Sequence, residues 1–161
     1  MHEITICYGM TETSPVSTQT KIGTPFEKQI HSVSTIHDHL EIKIINPKTK
    51  AIVKRGESGE LCTRGYSVML KYWNSPQATQ QVIDEQRWIH SGDLAMMDED
   101  GYIHISGRIK DLIIRGGENI SPKEIEDFLY TYEGVMDAQV IGVPSKKYGE
   151  EVMQRDRKSV V

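Results

Sequence analysis

The sequence predicts a mixed fold, part α/β and part α+β, in which a sheet-rich region precedes a smaller domain with one main helix. Two observations predict this arrangement. Short runs of alternating apolar residues are separated by glycine turns between Leu40 and Gly65, which is typical of a small antiparallel barrel or sandwich. Farther along, apolar residues recur at helical spacing from Ile125 to Tyr132, and an apolar strand follows them.

The first strand is predicted from Ile4 to Tyr8, where apolar and polar residues alternate, and Gly9 ends it. Thr11 and Glu12 come shortly after this strand. In an open α/β sheet, ligands bind beyond the carboxyl ends of the strands, where a hydroxyl can bond a phosphate and a carboxylate can hold Mg²⁺. An ordinary polar turn is the alternative that these residues leave open.

The next strands are predicted at 40–46 and 60–65 and are interpreted as scaffold. Their charged side chains alternate with apolar ones, as on a half-solvated sheet. We therefore assign no chemistry to Glu41, Lys43, Glu60 or Arg64.

A helix is predicted from Ser75 to about Asp84, with Pro76 at its first position. The preceding Tyr72 and Trp73 are interpreted as aromatic packing at the edge of a core. After the helix, a short strand at 88–90 is predicted to deliver Ser91-Gly92-Asp93 to a turn, where charged loop residues can hold a polar ligand.

The smaller domain is predicted to begin near Ile109. Short strands at 102–106 and 112–114 flank a basic connector, and Gly116-Gly117 turns the chain. Ser121 to Glu124 predicts a capping box with proline at the first helical position. Pro144 is predicted to end the following strand, and the apolar period is lost after Met153.

Composition excludes several classes of partner. The net charge of −4 gives no electrostatic reason to bind nucleic acid. No window approaches the ~18 apolar residues of a membrane span, and the N-terminus lacks the pattern of a signal peptide, so a cytoplasmic location is expected. Cys7 and Cys62 fall on predicted strands without a regular spacing, which favours buried free thiols.

Six motifs occur in a fixed order along the chain. They are Tyr8-Gly9-Met10-Thr11-Glu12, Gly59-Glu60-Leu61 with Arg64-Gly65, Tyr72-Trp73, Ser91-Gly92-Asp93, Gly107-Arg108-Ile109-Lys110-Asp111 and Arg115-Gly116-Gly117-Glu118-Asn119-Ile120. In order and spacing they resemble the motifs of the adenylate-forming superfamily, and the resemblance covers residues 4–152. Within that superfamily, the chain is most similar to AMP-forming acyl-CoA synthetases, in particular ligases of medium-chain fatty acids.

This resemblance implies a domain organisation. Residues 1–20 would be the edge of a large AMP-binding domain, and 21–108 a small distorted β-barrel subdomain. Residues 109–153 would form a truncated C-terminal α+β domain, followed by an atypical tail at 154–161. The chain would then be an internal piece that lacks the N-terminal and C-terminal parts of its own fold.

The resemblance also implies a reaction and its co-substrates. A small carboxylic acid would react with ATP to give acyl-AMP and pyrophosphate, and coenzyme A would then displace AMP to give a thioester. Mg²⁺ would accompany the nucleotide. Thr11 would bond the phosphate and Glu12 would coordinate the metal. Tyr8 would lie against the adenine, with Gly9 and Met10 lining the nucleotide and acyl pocket.

Five later positions receive roles from the same resemblance. Asp93 would accept both ribose hydroxyls, Ile105 would pack near the adenosine, and Arg108 would reach the ribose or a phosphate. Lys110 would be the hinge of the C-terminal domain, and Gly117 would border the pantetheine passage. The structural alternatives are a turn former for Asp93, plain core for Ile105 and a surface ion pair for Arg108. For Lys110 the alternative is a charged linker residue, and for Gly117 it is a tight hairpin.

Two features depart from the family. Ser32-Val33-Ser34 and the following Thr35-Ile36-His37-Asp38 replace a glycine and a Pro-Gly pair. The chain also contains neither a Ser/Thr/Gly-rich loop with a lysine for the β- and γ-phosphates nor the late glycine-lysine motif. We therefore expect no acyl-CoA synthesis by the chain alone. A non-catalytic nucleotide- or partner-binding remnant, and an adenylating enzyme whose acceptor is a carrier-protein thiol, are the alternatives.

Overall fold

The computed structural model describes residues 4–158, with side chains described as far as Arg155. The chain divides into two compact units, 1–105 and 106–161. Within the described range, no helix is both long and apolar enough to cross a membrane. Three separate sheets and few helices make up the described range, so a mixed fold of sheets and helices is confirmed. The strand pairs whose register is described are antiparallel, so the α/β part of the prediction is not confirmed.

Short strands dominate the first unit. In chain order, its elements are β1 (Cys7–Gly9), β2 (Val16–Gln19), α1 (Phe26–His31), β3 (Thr35–Ile36), β4 (Leu40–Ile45), β5 (Gly59–Gly65), α2 (Pro76–Val82), β6 (Ile89–Met97) and β7 (Ile103–Arg108), of which the last three residues belong to the second unit. One sheet has the order β1-β2-β3 and the other β4-β5-β6-β7. The predicted barrel is not confirmed, because over residues 4–158 these strands form open sheets and no closed one.

One of the buried clusters of this unit lies on one face of the four-stranded sheet. Each of its four strands contributes one side chain to a buried cluster, which consists of Ile44, Leu61, Ala95 and Ile103. The first five residues of β5 are all buried, since this strand is central in the sheet. Glu60 is therefore only 6% exposed, and the prediction that it lies on a solvated face is wrong.

The second unit contains one α-helix and one sheet whose strands differ in length. Its elements are β8 (Ile113–Arg115), β9 (Glu118–Ile120), α3 (Pro122–Leu129), β10 (Val135–Ser145) and β11 (Gly149–Lys158), with the strand order β10-β11-β8-β9. Gly116 and Gly117 have φ angles of 60° and 94° and form the two-residue loop between β8 and β9. Positive φ at both central residues is the pattern of the tight hairpin turn that the glycine pair predicts.

One predicted strand end in this unit is wrong. β10 continues through Pro144, which pairs with Glu150. Because β10 is at the edge of its sheet, a residue without an N–H group is tolerated there. β11 likewise continues through the region where the atypical tail was predicted, and its backbone pairs with β10 as far as Lys158. Residues 159–161 of that predicted tail lie outside the described range.

The helix α3 begins as predicted with Pro122 at its first position, but the capping box is absent. The Ser121 hydroxyl instead donates a hydrogen bond to the Ser106 carbonyl at 3.0 Å. The helix is joined to β10 by the Glu126 carboxylate, which accepts a hydrogen bond from the Val140 N–H at 2.8 Å. Ser121 therefore links the start of the helix to Ser106 of the same unit instead of closing the helix on itself.

Candidate functional site

The Ser91-Gly92-Asp93 segment lies inside β6 and does not form the predicted turn. Cys62 of β5 pairs with His90, and Glu60 pairs with Leu94, so three residues of β6 lie opposite the single residue Leu61. Gly92 has a φ of 73°, which a residue with a side chain rarely adopts. The segment is a β-bulge, and bulges redirect a side chain next to a functional site.

Ser91 supplies the hydrogen bonds that the bulge removes from the ladder. Its hydroxyl donates to the Leu61 carbonyl at 2.7 Å and accepts from the Asp93 N–H at 3.0 Å. Both polar groups are thus satisfied where the backbone of the two strands is out of register. No role was predicted for Ser91 beyond its place in the motif, because a serine before a glycine is also found in ordinary turns.

The bulge brings Asp93 to Tyr8, and each of these residues was predicted separately as a site residue. The Tyr8 phenol donates a hydrogen bond to Asp93 Oδ2 at 2.6 Å, across 85 residues of sequence. Both side chains are half-buried, and the Tyr8 ring packs against the core cluster of the four-stranded sheet. Because the phenol is an uncharged donor, it orients one of the two carboxylate oxygens without placing a positive charge beside it.

The second carboxylate, Glu12, lies in a 3-10 turn at Thr11–Thr13. The buried Thr13 holds this turn, because its hydroxyl accepts from the Met10 N–H at 3.1 Å and lies 3.0 Å from the Met10 and Pro15 carbonyls. Thr11 is exposed and Glu12 is half-buried. The predicted phosphate and metal ligands are thus presented by a turn whose third residue is its internal anchor.

Tyr72 contacts Glu12 directly. The Tyr72 phenol donates to Glu12 Oε1 at 2.8 Å, and the Met69 N–H donates to the Glu12 carbonyl at 2.8 Å. The hydrogen bond to Glu12, with a contribution from burial, raises the pKa of Tyr72 above its usual value. Tyr72 is thus a hydrogen-bonding residue of the candidate site as well as an aromatic contact, whereas the neighbouring Trp73 is 84% exposed and does not fill a core edge as predicted.

Three other predicted site residues have structural contacts of their own. A Cβ atom on Gly9 would lie 1.6 Å from the Pro15 carbonyl oxygen, so the approach of β2 to β1 requires glycine at this position. Met10 packs against the buried cluster around Ile83, and Ile105 packs against the cluster around Leu61. These contacts explain the residue types without a ligand.

The remaining predicted residues lie in the second unit. Arg108 is exposed at the end of β7, and Lys110 is exposed in the 3-10 turn Ile109–Asp111. Gly117 is exposed at the tip of the β8–β9 hairpin, with open space where a side chain would stand. Among the first-unit residues, the structure brings together Tyr8 with Asp93 and Glu12 with Tyr72.

A further polar cluster, which was not predicted from the sequence, lies beside the bulge. His90 Nδ1 lies 3.0 Å from Glu60 Oε2 and 3.6 Å from the Cys62 sulfur. These three groups have the chemistry of metal ligands and are close together. Lys50 Nζ, however, lies 3.4 Å from the same Glu60 oxygen and offsets its charge, so the cluster is balanced by protein groups.

The two cysteines differ, and the prediction that both are buried is wrong for one of them. Cys62 is fully buried, and its burial, together with the charge of Glu60, raises the pKa of the thiol to about 12. Cys7 is exposed on β1, an outer strand of its sheet, and both are free thiols. The alternation that places a residue on a strand does not reveal whether the opposite face of that strand is covered.

Comparisons with known proteins identify the relatives of this chain. A family model described as "AMP-binding enzyme" matches residues 1–73. The chain is 51% identical to a putative acyl-CoA synthetase, YngI, of Bacillus subtilis, over 99% of the chain and 30% of the relative. It is 45% identical to the mitochondrial medium-chain acyl-CoA ligase ACSF2 of Bos taurus, over 94% of the chain and 25% of that protein.

Solved structures of adenylate-forming enzymes are similar to this chain in fold. ATP-bound MatB of Rhodopseudomonas palustris superposes with a TM-score of 0.90 at 33% identity, over 98% of this chain and 31% of that one. The chain therefore spans between a quarter and a third of the length of these relatives. The resemblance to adenylate-forming enzymes of the acyl-CoA synthetase branch is confirmed.

Proposed function

We propose that this chain is a segment of an ATP-dependent acyl-CoA ligase. Its similarity to adenylate-forming enzymes in both sequence and fold supports this proposal. In the reaction, an oxygen of the substrate carboxylate attacks the α-phosphorus of ATP, and the bond to the β-phosphate breaks to release pyrophosphate. The thiolate of coenzyme A then attacks the acyl carbon, and the carbon–oxygen bond to AMP breaks. The segment supplies groups that bind the nucleotide and its metal.

The observation that carries this proposal is the hydrogen bond from Tyr8 to Asp93. Two motifs far apart in the sequence each contribute one residue, and both residues have complementary roles toward a nucleoside. Asp93 would accept the ribose hydroxyls, because a carboxylate offers two acceptor oxygens and no competing donor. The Tyr8 ring would lie against the base. The bulge at Gly92 is what turns Asp93 toward β1.

Glu12 would hold Mg²⁺, and Thr11 would bond a phosphate oxygen. A half-buried carboxylate on a short, internally bonded turn fits a hard cation that prefers oxygen ligands. When bound, Mg²⁺ offsets the charge of the phosphates during adenylation. The protein contributes the position of the carboxylate, which is set by Thr13 within the turn and by Tyr72 from outside it.

For the second unit, the proposal rests on the motif alone. Arg108 would bind the ribose or a phosphate, Lys110 would be the hinge, and Gly117 would border the passage for the pantetheine of coenzyme A. For Gly9, Met10 and Ile105, the structural contacts do not oppose a place beside the nucleotide. A small barrel-like subdomain and a cytoplasmic location stay predictions, and the ACSF2 relatives are mitochondrial proteins.

The proposed substrate is a medium-chain fatty acid, which the names of the ACSF2 relatives favour. A carrier-protein thiol as the final acceptor is the nearest alternative, and a segment that binds nucleotide or a partner without catalysis is the other. The acceptor alternatives are distinguished by supplying acyl-AMP together with either coenzyme A or a phosphopantetheinyl carrier protein and measuring thioester formation.

The test of the proposed function is a chimaera. Residues 4–152 replace the matching segment of the Bacillus subtilis relative, and AMP release is measured with ATP, Mg²⁺, coenzyme A and octanoate. The proposal predicts activity that depends on all four components. A chimaera with the melting temperature of the parent enzyme but without AMP release would contradict it, provided that the parent enzyme is active with octanoate.

A further inference from the structure

Tyr72 makes hydrogen bonds through both its backbone and its side chain. Its N–H donates to the Thr79 hydroxyl at 3.0 Å, and that hydroxyl lies 3.0 Å from the Ser75 carbonyl that it bonds in the first turn of α2. Its phenol then donates to Glu12 Oε1 at 2.8 Å. The contact thus connects helix α2 to the 3-10 turn across 60 residues of sequence.

Glu12 is held by the same stretch through its backbone. The Met69 N–H donates to the Glu12 carbonyl at 2.8 Å, so the main chain and the side chain of Glu12 each receive a hydrogen bond from residues just before α2. The backbone bond fixes where the turn lies. The hydrogen bond from the phenol fixes the side chain. Without it, a ligand that orders the three rotatable bonds of this side chain would have to overcome the loss of their conformational entropy.

Carboxylates that bind metals are themselves commonly hydrogen-bonded, and loss of such an outer partner lowers metal affinity by about 10- to 100-fold. A phenol suits this task because it donates one hydrogen bond and carries no charge at neutral pH. An ammonium in the same place would compete with a cation for the carboxylate. The donor that the structure places on Glu12 is of the kind that orients without neutralising.

We infer that Tyr72 is a positioning residue for Glu12, holding its carboxylate in a single orientation for a divalent cation. This inference rests on the proposed function, in which Glu12 is the ligand of Mg²⁺. It assigns Tyr72 a role in metal affinity, and neither the family resemblance nor the names of the relatives assign one.

The experiment is the Tyr72→Phe variant of the chimaera, compared with Tyr66→Phe. Tyr66 is 74% exposed and provides a matched loss of one phenol at the surface. The Mg²⁺ concentration for half-maximal acyl-AMP formation is measured by pyrophosphate exchange at saturating ATP and octanoate. We expect it to rise about 10-fold in Tyr72→Phe and to stay unchanged in Tyr66→Phe.

Two further measurements separate positioning from stability and from failure of the proposed function. The melting temperature of Tyr72→Phe should remain close to that of Tyr66→Phe, because the ring and the Thr79 contact are retained. Glu12→Gln should show the larger rise in Mg²⁺ requirement. If Glu12→Gln changes the Mg²⁺ requirement and Tyr72→Phe does not, the role of Tyr72 is refuted while the function stands.

The opposite pattern refutes both claims. If the Mg²⁺ requirement of Glu12→Gln equals that of the unmodified chimaera, then Glu12 is not a metal ligand and Tyr72 has no carboxylate to position. A rise that is equal in Tyr72→Phe and Tyr66→Phe would also overturn the inference, since the effect would not depend on the contact with Glu12.

Discussion

Three carboxylates in the first unit are held by two different kinds of donor. Asp93 and Glu12 each accept a hydrogen bond from a tyrosine phenol. Asp98, which follows β6, is 2.8 Å from the ammonium of Lys28 and 3.2 Å from His104 Nε2. It also accepts from the Tyr102 N–H at 2.8 Å. The first arrangement orients a charge, whereas the second compensates it.

The difference follows from what each carboxylate has to do. Asp98 stabilises the hairpin between β6 and β7, so its negative charge is best compensated by other groups of the protein. Burial acts to raise the pKa of Asp98, but the hydrogen bonds from Lys28 and Tyr102 outweigh it and hold the pKa well below the usual value. A carboxylate that binds ribose or Mg²⁺ attracts that ligand more strongly when its donor in the protein is neutral, because no protein cation offsets the negative charge.

The largest effect is expected at Glu12. In the chimaera, Glu12→Gln should reduce the rate of acyl-AMP formation by about 100-fold, since removal of one preorganised group that stabilises transition-state charge costs 10² to 10³ in rate. Glu85→Gln is the matched control, because Glu85 is exposed. Pyrophosphate exchange measures both. Equal rates in the two variants would place Glu12 with the carboxylates that serve structure.

At Asp98 the expected effect is on stability. Asp98→Asn should lower the free energy of unfolding by about 1 to 2 kcal/mol at neutral pH, because hydrogen bonds to charged groups contribute more than neutral ones. Urea denaturation of the chain measures this. A normal stability with impaired nucleotide binding would reverse the roles that we assign to the two groups.

The same variant gives a pH dependence. The pKa of Asp98 is lower in the folded than in the unfolded state, so its stabilising effect is present above the unfolded value of about 3.9 and is lost as the pH falls toward the folded value. The stability difference between the wild type and Asp98→Asn should therefore shrink below about pH 4. A difference that grows on acidification has the wrong sign.

A smaller effect is expected at Tyr8. Tyr8→Phe keeps the ring against the core and removes only the donor to Asp93, so the free energy of unfolding should fall by about 1 kcal/mol. AMP affinity should fall only a few-fold, because Asp93 and the ring remain. Equilibrium dialysis against AMP and a urea titration measure the two. A complete loss of AMP binding would mean that the phenol itself contacts the ligand.

Elements whose evidence lies in consecutive residues were predicted well. The alternation at 40–46 and 60–65 corresponds to β4 and β5, and Ser75-Pro76 and Ser121-Pro122 mark the starts of α2 and α3. The motif order identified the relatives. These features depend on local periodicity and on the fixed backbone angle of proline, which a single sequence contains.

Features that depend on pairing between distant residues were not predicted. The bulge at Ser91 is defined by its register against Leu61, and the burial of Glu60 follows from the central place of β5 in its sheet. Pro144 within β10 is allowed by its position at an edge. The contacts Tyr8–Asp93 and Tyr72–Glu12 join residues 85 and 60 positions apart, for which local spacing carries no signal.

The most direct test of the distinction between the two groups is AMP binding by the chain itself, comparing Asp93→Asn with Asp98→Asn by equilibrium dialysis. We predict that Asp93→Asn weakens AMP binding by about 10-fold or more, as expected for loss of hydrogen bonds to a charged acceptor. Asp98→Asn should leave the affinity within about two-fold while the protein remains folded. Equal affinities of the two variants would contradict the assignment of Asp93 to the ligand.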